Sequence, residues 1–218
     1  MNTENDVNLC TNNDGIYYQP ITRFMRSVTP TFQRVNISSK DIVRCPWVSA
    51  DQIYIDYHDN EWGKELRGQR NLFEKMTLEG FQAGLSWLTI LKRREGFREA
   101  FDNFELDKVA AFDESKIEEL MSDTGIIRNR AKISAAVNNA RVILDQSLDL
   151  TEILWSFAPS PSSSGRSQES ITTTPESDAL SKELKRLGIK FVGSTTMYAL
   201  MQSTGMVKDH SVNCFLSS

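Results

Sequence analysis

A chain of 218 residues, 39% hydrophobic and 25% charged, can bury one sizeable core, so one domain with appendages is expected. Its formal net charge of -4 removes any whole-chain electrostatic case for nucleic acid, and contact with DNA would have to come from local basic patches. No run approaches the roughly 18 apolar residues of a membrane span, and no apolar signal core opens the chain. Three cysteines make a poor disulfide framework and suit a reducing compartment, so a cytoplasmic protein is expected.

Residues 1–40 are rich in Asn, Thr, Gln and Ser and carry no sustained period. Between Asp14 and Asp41 there is no acid, while Arg23, Arg26, Arg34 and Lys40 are basic. This composition predicts a disordered N-terminal extension. A phosphate-contacting arm and an organellar targeting peptide are the competing readings, and Glu4 and Asp6 argue against the second.

The domain proper is expected over residues 41–218. Leu72, Phe73 and Met76 form a helical stripe, and Leu88, Leu91, Phe97 and Phe101 suggest another, interrupted near Gly96. Between them, Glu79 sits among residues that normally turn inward. A carboxylate there must be paired, be protonated or await a ligand; the alternative is a surface glutamate near a glycine-marked helix end. Gly80, Ala83, Gly84 and Ser86 are small enough to let a backbone or a flat ligand approach closely. Trp87, which follows, reads either as core or as a face of that site.

Ser115 and Glu118 match a capping box at the start of a helix that carries Ile117, Leu120 and Met121. That helix should stop near Gly125, and a second carries Ile133, Val137, Ala140 and Leu144. The turn from Thr124 to Arg130 would expose backbone N–H groups at the second helix's start, where a phosphate binds well. Arg128, Arg130 and Lys132 would add charge there, although a solvated hairpin with incidental bases has the same pattern. Lys92-Arg93-Arg94 reads as a basic helix end that complements the dipole. Residues 158–177 form a low-complexity, flexible loop. A helix then runs from about Asp178 to Leu187, and a last one covers about Thr195–Ser203. Strand-like alternation is scarce, so the expected fold class is all-α.

Cys45 and His58 stand thirteen apart, and His210 and Cys214 four apart at the other end of the domain. Two thiolates and two imidazoles are a tetrahedral zinc set, and four protein ligands leave no open position for water. Such an ion, one per chain, would be structural and would staple the domain's two ends together. Two core histidines beside two buried thiols are the alternative.

Several blocks together resemble the DNA-3-methyladenine glycosylase I family. They are Cys45-Pro46-Trp47, Tyr57-His58-Asp59-Asn60-Glu61-Trp62-Gly63 and the run from Leu78 to Trp87, followed by Gly125-Ile126-Ile127-Arg128, the run from Ser177 to Lys182, Lys190-Phe191-Val192-Gly193 and Asp209-His210. The likeness covers about residues 43–215, in order. It implies a helix-hairpin-helix fold with a structural zinc on Cys45, His58, His210 and Cys214. It further implies a monofunctional enzyme of base-excision repair that hydrolyses the glycosidic bond of N3-methyladenine in double-stranded, alkylated DNA, acting as a monomer. Glu79 would hydrogen-bond the extruded base, Tyr57 assist and Trp87 stack, with Trp47 and Tyr54 as further aromatics of the pocket. Gly125, Arg128 and Arg130 would belong to the phosphate-binding hairpin.

There are departures. The N-terminal extension has no counterpart in the family; Ala199 stands where the family has a serine; and Lys208 stands where broader-range relatives keep an aspartate. The alternative function is a non-catalytic DNA-damage-binding protein on the same scaffold. A zinc-stapled, sequence-specific regulator is disfavoured, because no Arg/Asn-rich recognition helix is evident.

A chain shortened to start near Lys40 is expected to keep its turnover on damaged DNA. A loss of affinity that vanishes at high salt would instead make residues 1–40 a phosphate-contacting arm.

Overall fold

Helix starts in this chain are set by short polar side chains. Asp51, Ser86, Asp113, Asn129, Asp149 and Thr174 each accept a hydrogen bond from a first-turn backbone N–H. The computed structural model describes residues 10–12, 15–17, 42–160 and 171–217, and the chain divides into two units, 1–38 and 39–218. In the first unit, strand β1 (Cys10–Asn12) pairs antiparallel with β2 (Gly15–Tyr17), Cys10 opposite Tyr17. This small ribbon was not expected from the composition. The remaining expectations for residues 1–40, and those for 161–170, lie outside the described residues.

The second unit is all-helical among its described residues. It contains α1 (Gln52–Asn60), α2 (Gln69–Gln82), α3 (Trp87–Leu91) and α4 (Arg94–Ala100). A 3₁₀ turn, Asp102–Phe104, leads to α5 (Leu106–Ala110), α6 (Glu114–Ser122), α7 (Arg130–Asp145) and α8 (Leu150–Trp155). The chain closes with α9 (Pro175–Arg186) and α10 (Ser194–Ser203). None of the described helices is long and apolar enough to cross a membrane.

Helix α2 is the spine. It buries Leu72, Phe73, Met76, Leu78 and Phe81, and it packs on α3, α7, α8 and α10. Phe81 meets Phe97 of α4 edge-on with centroids 4.7 Å apart, and Phe101 stacks on Phe104 at 5.5 Å. The expected stripe of Leu88, Leu91, Phe97 and Phe101 is divided between α3 and α4. The two ends of the unit meet where Phe215 N–H donates to Val43 O at 2.9 Å.

Three local expectations are corrected. The cap of α6 is Asp113, not Ser115, because the Asp113 carboxylate accepts from Lys116 N at 2.9 Å and the helix starts at Glu114. Helix α9 begins at Pro175, three residues before Asp178. Thr174 and Ser177 form a reciprocal capping box there, and proline suits a first turn that needs no N–H donor. Lys132 adds no charge to the hairpin surface. It is buried, and its Nζ donates to Phe81 O at 2.9 Å and Ala83 O at 2.7 Å, satisfying carbonyls at the end of α2.

The turn between α6 and α7 rests directly on α4. A Cβ added at Gly96 would lie 2.7 Å from Gly125 O and 3.0 Å from its carbonyl carbon, so backbone packs on backbone here. Gly96→Ala is therefore expected to destabilise the fold by about 1–3 kcal/mol, the usual cost of overpacking. Urea unfolding measures this, and an unchanged midpoint would mean that the turn yields freely.

Candidate functional site

Helices α1, α2, α3 and α10 enclose a cavity of about 240 Å³. Trp47, Tyr54, Tyr57, Trp62 and Trp87 give it aromatic walls, and Glu79, Gln82, Gln202 and Asp209 supply the polar groups. The volume falls below the ~300–1,000 Å³ of drug-sized pockets, so it suits one small, flat ligand. All five residues expected to touch a base (Glu79, Tyr57, Trp87, Trp47 and Tyr54) are thus brought together. Ala199 also lines this cavity.

Glu79 is 3% exposed, which removes the surface-glutamate alternative. It has two compensating partners. Ser203, at the end of α10, donates to Glu79 Oε1 at 3.0 Å. Lys75 lies one turn earlier on α2, the spacing that puts two side chains on one helix face. Its Nζ donates to the Tyr57 hydroxyl at 2.7 Å and lies 4.5 Å from the ring centroids of both Tyr57 and Trp87.

Burial pushes the Glu79 carboxyl up, against the opposing pull of the Lys75 charge and the Ser203 hydrogen bond. Burial also pulls Lys75 down to about 8, while Glu79 and Glu61 hold it up. The Tyr57 hydroxyl is pushed up by burial and then by the Glu79 charge. Trp87 is both core and cavity wall. Its indole Nε1 is buried and has no hydrogen-bond partner among the described residues.

On the far side of the aromatic wall, Cys45, His58, His210 and Cys214 converge, their ligand atoms all within 4.8 Å of one another. Cys45 Sγ lies 3.5 Å from His210 Nδ1, and Cys214 Sγ lies 3.4 Å from His58 Nε2 and 3.6 Å from His210 Nδ1. Tetrahedral bonds of about 2.3 Å to sulfur and about 2.0 Å to nitrogen put S and N about 3.5 Å apart, so the donor set fits a zinc-sized ion. His58 Nδ1 meets Asp59 Oδ1 at 2.7 Å, and Arg44 clamps that carboxylate with contacts of 2.6, 2.8 and 3.0 Å. Such an outer carboxylate fixes the tautomer in which His58 Nε2 faces the metal position. Trp47 packs on His58 and Trp62 on His210, with centroids 5.2 and 4.7 Å apart. The Cys/His cluster thus braces two walls of the cavity.

The turn between α6 and α7 is separate from both. Gly125 N–H is already bound to Asp123 Oδ1 at 2.7 Å. Arg128 is exposed, and no acid pairs with it among the described residues. Arg130 is exposed but engaged by Glu114 and Glu118, so a phosphate would have to compete with two carboxylates for it.

Three site residues were not foreseen. The spacing of Lys75 and Glu79 was legible, but a lysine on a helix usually signals only a solvated face. Ser203 is 124 residues from Glu79 in sequence and carries no local signal. Asp209, held by the Tyr198 hydroxyl at 3.2 Å and by Gln202, lines the cavity, whereas neighbouring Lys208 is exposed and outside it.

Comparison with known proteins agrees with this geometry. The family model described as methyladenine glycosylase matches residues 47–217. The chain is 48% identical over 177 residues to DNA-3-methyladenine glycosylase 1 of Escherichia coli (strain K12), covering 78% of this chain and 95% of that protein. A crystal structure of a 3-methyladenine DNA glycosylase I superposes with a TM-score of 0.74 at 46% identity, covering 79% of this chain and 98% of the other. The Staphylococcus aureus enzyme, whose structure addresses 3-methyladenine recognition, gives 0.73 at 34% identity, over 80% and 96% of the two chains. With the family model matching residues 47–217 and the chain covering nearly the full length of these relatives, the chain belongs to the methyladenine glycosylase family.

Proposed function

We propose that this chain is a DNA-3-methyladenine glycosylase, which removes N3-methyladenine from alkylated DNA in base-excision repair. The observation that carries this is Glu79, a carboxylate buried in an aromatic cavity sized for one flat ring. N3-alkylated adenine in DNA is cationic and already a good leaving group, so no acid is needed to protonate it. The protein's task is to extrude the base, hold it, and let water attack the sugar. Glu79 accepts from the exocyclic amine and favours the positive ring electrostatically, and Trp87 offers it a π face. Lys75 is not among the side chains lining the cavity, which supports base removal by water without a Schiff base or strand cleavage.

The turn from Asp123 to Asn129 serves as the hairpin of a helix-hairpin-helix element gripping the phosphates of double-stranded DNA, with the exposed Arg128 as its leading cation and Arg130 in a lesser part. Cys45, His58, His210 and Cys214 hold one structural zinc per chain, and the near-tetrahedral S···N separations support this. When bound, the ion supplies a rigid junction between the chain's two ends and no open coordination site for chemistry. The chain works as a monomer in the cytoplasm.

Purified protein should release free 3-methyladenine from methylated duplex DNA. Glu79→Gln keeps the shape and loses the charge, so base binding should weaken about ten- to a hundredfold, the equivalent of roughly 1.5–3 kcal/mol for a charged hydrogen bond. Binding unchanged within about twofold would remove Glu79 from this role.

Elemental analysis of folded, active protein should find about one zinc per chain, and His210→Ala should lower thermal stability more than it lowers the activity of whatever remains folded. Active protein with far less zinc would sink the assignment.

A further inference from the structure

Lys75 stands behind the cavity rather than in it. It lines a neighbouring cavity of about 310 Å³, and Trp87 borders both spaces. Its Nζ lies 2.7 Å from the Tyr57 hydroxyl and over the rings of Tyr57 and Trp87. An ammonium has three donors and no acceptor, so the Tyr57 oxygen must be the acceptor in that bond. The phenolic proton is then left to donate elsewhere; Ser203, the other hydroxyl against Tyr57, gives its own proton to Glu79, and Tyr57 lines the cavity that holds Glu79.

We propose that Lys75 is a positioning residue that fixes the polarity of Tyr57, so that the cavity offers a purine one donor, the Tyr57 O–H, beside one acceptor, Glu79. This rests on the glycosylase function proposed above and deepens it. Adenine presents an acceptor, N7, beside a donor, the N6 amine, on its major-groove edge. The donor and acceptor of the cavity are complementary to that edge. A purine with an oxygen at position 6 would set an acceptor against the Glu79 carboxylate and is rejected.

The polarity lasts only while Lys75 keeps its proton. A neutral amine accepts as readily as it donates, and the Tyr57 proton is then no longer confined to the cavity side. The groups facing Lys75 are Glu79 and Glu74 on its own helix, Glu61 beyond the end of α1, Arg94 on α4, and Tyr57 on α1. Burial brings its titration to about 8, within reach of an assay. The opposite dependence is what charge repulsion between the ammonium and a cationic base would give, because deprotonation would then help binding. The direction of the pH effect separates the two.

The test is single-turnover release of 3-methyladenine from duplex DNA between about pH 6.5 and about 9.5, with wild type, Tyr57→Phe, Lys75→Met and the double variant. The wild-type rate should fall about three- to tenfold as pH rises through 8, the scale of one neutral hydrogen bond. Tyr57→Phe should be slower by a similar factor at neutral pH and flat across that window. Lys75→Met should behave like it, and the double variant should be no worse than either single one. A wild-type rate that holds or rises through pH 8, a fall that persists in Tyr57→Phe, or additive losses in the double variant would each overturn the proposal. Should Lys75→Met fail to fold, the wild-type and Tyr57→Phe profiles decide alone. Release of no base at any pH would overturn the glycosylase function as well, whereas release without the fall overturns only the role of Lys75.

Discussion

A carboxylate held at 3% exposure among aromatic rings is the constraint on which the rest of this structure depends. Uncompensated, a buried ion costs several kcal/mol even after relaxation. Glu79 is made tolerable by Lys75 one turn before it on α2 and by the Ser203 hydroxyl from α10. Those two partners come from different helices, so the charge can stay ionised only where α2 and α10 are packed together. The same packing buries Leu72, Met76 and Leu78. Core formation and the chemistry of the cavity are therefore one event, and a change to either helix acts on both.

The aromatic walls need their own support, because flat rings around a cavity would otherwise close on it. Tyr57 is pinned by Lys75, whereas Trp47 and Trp62 lean on His58 and His210. Those imidazoles are themselves oriented, His58 by Asp59 and Asp59 by Arg44. Reading outward from the cavity, each layer fixes the one inside it, and the outermost fixes the two ends of the domain to each other. A structural zinc in the Cys₂His₂ cluster would contribute rigidity here rather than reactivity.

Much of this was legible in the sequence, and what was not has identifiable causes. The donor set Cys45, His58, His210 and Cys214 stood out because histidine and cysteine are scarce in this chain. Glu79 stood out because an acid interrupts an otherwise inward-facing run. Ser203 and Asp209 did not stand out, because their roles come from tertiary approach and their residue types are common on surfaces. Lys132 was misjudged for the opposite reason: a base at the start of a helix after a turn suggests phosphate, yet here its partners are carbonyls at the end of α2. The cap of α6 moved from Ser115 to Asp113 because two overlapping polar patterns compete, and the one reaching Lys116 N won. Helix type and register followed from periodicity, whereas boundaries and polar partners followed from neighbours the sequence does not display.

The elevated pKa of Glu79 and the charge of the ligand are two sides of one linkage. Burial favours the protonated acid, and Lys75 and Ser203 favour the carboxylate. A cationic base in the cavity adds weight to the carboxylate, whereas a neutral base adds none. Each unit of pKa difference between those two situations is about 1.4 kcal/mol of preference for the cation. In the role proposed for Glu79, discrimination between damaged and undamaged adenine starts from a single buried acid, before any difference in shape is read. The same linkage explains why the site tolerates Lys75 so close to a cation's binding place. The Lys75 charge pulls Glu79 back toward the carboxylate, against the burial that favours the acid.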